Sequence, residues 1–179
     1  MLNECLLGKI IQVHIDNSDP DSFVVGRLVY FDSIWFLMQD LSPTGCWNGL
    51  ALYKQADIVL IDNHSEYICK IEKLVKYRNE TAPSVPSVSR DPLLSLLCYA
   101  KDFQRVVGIE LHASGYRDIN GFVTTLSKDA VRIEQMDEFG KHDGTSYVSM
   151  DAITRCYLDD DESRCLEVLA KDNSTGASI

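Results

Sequence analysis

The chain has 179 residues, 45% of them apolar, and its 27 Asp and Glu outweigh its 17 Lys and Arg. That apolar share belongs to a globular protein, and no apolar run approaches the ~20 residues of a membrane-spanning helix. Both halves are acidic, with 7 basic and 11 acidic side chains in residues 1–85 and 10 and 16 in residues 86–179, which disfavours generic binding of duplex DNA.

Leu2, Leu6 and Leu7 give the first residues the apolar side of a short helix. Strand signals follow. Ile10 to Ile15 is rich in β-branched residues, and Asn17-Ser18-Asp19-Pro20-Asp21 ends it with turn chemistry. Phe23–Phe31 and Ile34–Leu41 read as two strands hinged at Asp32-Ser33, and Leu50–Ile61 and Tyr67–Leu74 complete five. Residues 79–90, with two prolines and three serines, form a linker that cannot build a core. Asp91-Pro92 opens a helix, Asp as the N-cap and Pro at the first helical position. Leu94, Leu97, Cys98 and Lys101 share one side of it. Strands are then expected at 105–112, 119–126, 129–136, 145–157 and 164–170, with a frayed tail after Asp172.

The second set is the first written again. From Gly26 onward each position meets its counterpart 95 residues later: Gly26 and Gly121, Gly45 and Gly140, Gly49 and Gly144, Leu74 and Leu169. Upstream, one inserted residue sets Gly8–Ile15 against Gln104–Leu111. Leu28/Val123, Phe36/Val131, Met38/Ile133, Ile58/Ile153 and Ile71/Leu166 are apolar in both copies and are placed inward. Leu37 opposite Arg132 and Tyr30 opposite Thr125 mark the outward side. Trp35 faces Ala130 and Leu60 faces Arg155, so the outer face is more apolar in the first copy. Either a contact surface or a deeper core would account for that.

Gly26-Arg-Leu-Val-Tyr-Phe-Asp32-Ser-Ile-Trp-Phe-Leu-Met38 resembles the first Sm motif in the form of the bacterial Sm-like RNA chaperones. Leu52-Tyr53-Lys54-Gln55-Ala56-Asp57-Ile58 is similar to their second motif, with Gln55 in place of its histidine and Asp57 as an extra residue. The second copy departs further: Asp32 becomes Ser127, and Tyr53-Lys54 becomes Val148-Ser149. The resemblance implies a mainly β fold of two tandem five-stranded Sm-like (SH3-like) barrels, each preceded by a short helix. The divisions are 1–78 for the first barrel, 79–90 for the linker, 91–172 for the second barrel and 173–179 for a disordered tail. It also implies a single-stranded RNA pocket at Phe31, Asp32, Tyr53, Lys54 and Gln55, with a base stacked on Tyr53 and charge from Lys54. Sm-like subunits form rings by pairing a fourth strand with the next subunit's fifth, and duplication would make one such contact intramolecular.

No nucleophile elbow, phosphate loop or dinucleotide fingerprint occurs, and no catalytic residue, metal site or cofactor is expected. His14, His64, His112 and His142 have no zinc-ligand spacing with a cysteine. Asp159-Asp160-Asp161-Glu162 reads as a solvated hairpin tip, and Cys69 and Cys165 as buried packing thiols. None of the six cysteines forms a Cys-x-x-Cys pair, and no secretion signal is legible, so reduced thiols in the cytoplasm are expected. The function expected is a non-catalytic assembly or adaptor module with a protein partner, or self-association through barrel edge strands. RNA binding is the alternative.

Overall fold

The computed structural model describes residues 1–15, 22–112 and 114–176. The turn expected at residues 17–21 lies outside them. The chain divides into two compact units, Met1–Val85 and Pro86–Ile179. It is mainly β: ten antiparallel strands form among the described residues, five per unit, with three α-helices.

Unit 1 carries β1 (Ile10–His14), β2 (Phe23–Phe31), β3 (Trp35–Leu41), β4 (Trp47–Lys54) and β5 (Leu60–Asp62), then helix α1 (Glu66–Arg78). Its strands lie in the order β5-β1-β2-β3-β4. Where one long strand is expected over 50–61, a 3-10 turn at Gln55–Asp57 separates β4 from β5. At the N-terminus only a 3-10 turn forms, Glu4–Leu6, capped by the Asn3 side chain.

The strand expected at 67–74 is instead helix α1. Ser65 Oγ caps it by accepting from Ile68 N at 3.2 Å, and Ile68 and Ile71 recur on its buried face. That spacing belongs to a helix, and the polar residues between them face water. Cys69 is therefore exposed, not a packing thiol.

Unit 2 opens with helix α2 (Pro92–Asp102), capped by Asp91 as expected, with Oδ1 accepting from Leu94 N at 2.9 Å. Its buried side is Leu93, Leu96, Leu97 and Ala100, one position round from the expected face, and Cys98 is exposed. Strands β6 (Val106–Leu111), β7 (Ile119–Leu126), β8 (Ala130–Met136), β9 (His142–Ser149) and β10 (Ile153–Leu158) follow, in the order β10-β6-β7-β8-β9. Helix α3 (Asp161–Gly176) replaces both the strand expected at 164–170 and the tail expected at 173–176, and Cys165 on it is exposed. Helices thus follow the strands in both units.

The offset of 95 holds bond for bond. Leu28 pairs with Met38 as Val123 pairs with Ile133, and a bulge follows each. The β3–β4 and β8–β9 ladders shift register at the same place. Ile11 opposite Gly26 corresponds to Val107 opposite Gly121, which confirms the one-residue insertion. Gly26 and Gly121 are required as glycine, because a Cβ there would run into the carbonyl oxygen of Gln39 or Glu134 on the next strand.

All the paired inward positions are buried except Ile58, which is half-buried beside the 3-10 turn, and Ile71 and Leu166 reach the core from helices. Leu37 and Trp35, placed outward, are buried too, while Leu60 is exposed. The corresponding face of unit 2 stays open, with Arg132 half-buried and Tyr147 exposed. No helix is long and apolar enough to cross a membrane among the described residues.

Candidate functional site

The resemblance singles out the turns after β2 and after β4. Asp32 closes the first on itself. Its Oδ1 accepts from the backbone N–H groups of Ile34 (2.7 Å) and Trp35 (2.8 Å), and its Oδ2 accepts from Tyr30 Oη at 2.9 Å. Gln55 staples the two turns together, donating its backbone N–H to Ile34 O at 2.8 Å and its side-chain amide to the Asp32 carbonyl. Lys54, opposite Trp35 in the ladder, holds its ammonium 5.5 Å from the centre of that indole. Phe31 is half-buried beside Asp32. The fold therefore brings Phe31, Asp32, Lys54 and Gln55 together.

Tyr53 goes elsewhere. It is 1% exposed, stacked on Phe36 with ring centres 5.1 Å apart, and its hydroxyl donates to Asp40 Oδ2 at 2.7 Å. A ring so enclosed offers no face to a base, so the stacking role that the resemblance gives it is not available. Asp32 also has a structural explanation. Ser127, its counterpart, closes the matching turn, with Oγ accepting from Ala130 N at 3.0 Å. Asp and Ser are both turn formers whose side chains bond the nearby backbone.

Sequence reasoning missed a second polar constellation, on one face of unit 2. Gly108 lies between Asn120 on β7 and Tyr157 on β10. The missing side chain leaves room for Arg117, whose Nη1 would be 3.0 Å from a Cβ at 108. The Arg117 guanidinium sits 4.4 Å over the Tyr157 ring and pairs with Asp160 and, at 3.3 Å, with Glu162. Next along the sheet, buried Glu110 pairs with Arg155 at 2.9 Å and accepts from Gly115 N at 2.9 Å. Arg105 pairs with Asp159 and, at 2.9 Å, with Glu167. The acidic run at 159–162 is thus no solvated hairpin tip. It starts α3, with Asp160 Oδ1 accepting from Ser163 N at 2.8 Å, and two arginines from outside the helix, Arg105 and Arg117, draw it onto the sheet. The available signal was the presence of Arg105, Arg117 and Arg155 in the same half of an acidic chain.

Burial works against the charge on Arg117, but the bond to Asp160 and the nearby carboxylates more than offset it and hold its pKa above the ordinary value. Fully buried Cys156, on β10, is pushed up to about 12 by burial. An unfolded thiol ionises near 9.0, so the folded state keeps a proton that the unfolded state gives up. Stability from this source is complete below pH 9 and lost as pH rises through that window, at about 1.4 kcal/mol per pH unit. Urea denaturation of unit 2 across this range is expected to show the slope, and Cys156→Ala to remove it.

Among the described residues no three His, Cys, Asp or Glu side chains are grouped to hold a metal ion. Comparison with protein-family models, curated proteins and solved structures finds no match for this chain.

Proposed function

We propose that the chain is a non-catalytic, cytoplasmic assembly module, built from two Sm-like small barrels and joined to copies of itself through its outer strands. The observation that carries this reading is the strand order. In both units the fourth and fifth strands are outermost, at opposite ends of the five. Of these, β5 and β9 each have a strand neighbour on one side alone, and a strand so placed presents unpaired backbone N–H and C=O groups, a ready template for another strand. β9 is exposed over most of its length and carries Tyr147 at 77% exposure, and Leu60 on β5 is 46% exposed. Barrel closure is supported by the strand glycines Gly26 and Gly121, the shared bulges and the 3-10 turn before each fifth strand.

Pairing β9 of one copy with β5 of the next gives a head-to-tail contact that closes into a ring or runs on as a filament. Light scattering is expected to give a multiple of 20.2 kDa. Tyr147→Lys, which puts a charge on the edge strand without touching the core, is expected to shift the mass to that of a monomer. A wild-type chain that stays monomeric at every concentration sinks the reading. RNA binding is the second reading, favoured by the meeting of Lys54 and Gln55 with the Asp32 turn.

A further inference from the structure

Both units carry a cleft at the same place, away from the turns after the second and fourth strands considered above. In unit 1 it has a volume of about 350 Å³ and is lined by Val25, Leu41, Pro43 and Tyr67 among others. In unit 2 it measures about 200 Å³, and Asn120, Met136, Glu138 and Glu162 stand at the four corresponding positions. Its origin is common to both units. The turn after the third strand holds a glycine at positive φ, Gly45 or Gly140, and presses it against the helix. A Cβ there would lie 2.5 Å from that of Leu74 or Leu169. The turn therefore meets the middle of the helix and leaves a gap beside its first turns.

The two clefts differ in chemistry. In unit 1 the rings of Phe23 and Tyr67 meet edge to face, 5.2 Å apart, and Lys70 lies 5.0 Å over Tyr67. In unit 2 Tyr67 is replaced by Glu162, Pro43 by Glu138 and Lys70 by Cys165. Met136, Leu166 and Leu169 remain as an apolar lining. Arg117 reaches Glu162 at 3.3 Å. Glu138 is exposed and, among the described residues, joins no ion pair.

We propose that the cleft of unit 2 binds a peptide segment of a partner protein in which an arginine or lysine stands beside an apolar side chain. The apolar group packs on Met136, Leu166 and Leu169, and the cation lies between Glu138 and Glu162. An apolar floor under a like-charged rim selects this chemistry over a neutral or acidic segment. The surplus of 16 acidic over 10 basic side chains in this half steers a cation towards it. The inference stands apart from edge-strand assembly, because a chain held monomeric by Tyr147→Lys keeps the cleft.

The test is a titration of the isotope-labelled full chain with acetyl-Leu-Arg-Leu-Arg-amide, followed by backbone amide shifts, beside the same peptide with citrulline for arginine. Saturable shifts are expected at residues 136–138 and 162–169, with protection of Cys165, which lines the cleft, from iodoacetamide while exposed Cys98 still reacts. Glu138→Gln leaves the packing intact and is expected to weaken binding about fivefold. The proposal is overturned by an equal response to the citrulline peptide, by undiminished affinity in Glu138→Gln, by shifts spread outside the cleft, or by no saturable binding at all.

Discussion

Asp160→Ala is expected to destabilise unit 2 by about 3–5 kcal/mol, the cost of removing one partner from a buried ion pair. The Asp160 side chain is 2% exposed and carries two loads. One oxygen pairs with Arg117, and the other accepts the Ser163 N–H that α3 would otherwise leave without a partner at its start. Without it, Arg117 keeps its place over Gly108 and Tyr157 with Glu162 as its remaining ion-pair partner. Asp160→Asn keeps the cap and loses the charge, so its loss falls below that of alanine. Combining it with Arg117→Met is expected to recover part of the stability, since a buried pair replaced by neutral groups leaves no unpaired charge. Cys156 supplies the readout, because it is the fully buried thiol and its alkylation in urea reports the opening of unit 2. An Asp160→Ala chain within about 1 kcal/mol of wild type would show that the pair does not hold α3 to the sheet.

What was legible in the sequence was whatever the backbone dictates twice. Gly26 and Gly121 leave no room for a side chain, and Gly45 and Gly140 occupy positive φ, so these positions survived while their neighbours diverged. The strands between them followed from alternation. The last element of the first copy reads as a strand because Tyr67, Ile68, Ile71 and Val75 carry β-forming side chains, and it is their helical spacing together with the Ser65 cap that decides for a helix. The ion-pair face of unit 2 was hidden for a different reason. Arg117 and Asp160 are far apart in the chain, and only the adjacency of β10, β6 and β7 brings them together. The burial of Tyr53 was within reach, since Phe36 was placed inward and the ladder sets Tyr53 directly opposite it.

That pairing carries the second large expectation. Tyr53→Ala is expected to cost unit 1 about 3–5 kcal/mol, as for other large side chains emptied from a packed core. Tyr53→Phe keeps the stack on Phe36 and loses the donor to Asp40, for about 1–3 kcal/mol. Trp35 and Trp47, the two tryptophans of the chain, both lie in unit 1, so their fluorescence in urea reads this half alone. The same variants separate the roles assigned to the second Sm-like motif. A ring that stacks on RNA would be dispensable for folding, and its loss would weaken binding while the urea midpoint stayed put. A core ring takes the fold with it. Under the RNA reading, the contribution is then to be sought at Lys54 and Gln55: on that reading Lys54→Ala weakens binding of a short single-stranded oligonucleotide and flattens its salt dependence by about one unit of slope, with stability unchanged. Tyr53→Ala with wild-type stability would return the ring to the surface and restore the stacking role.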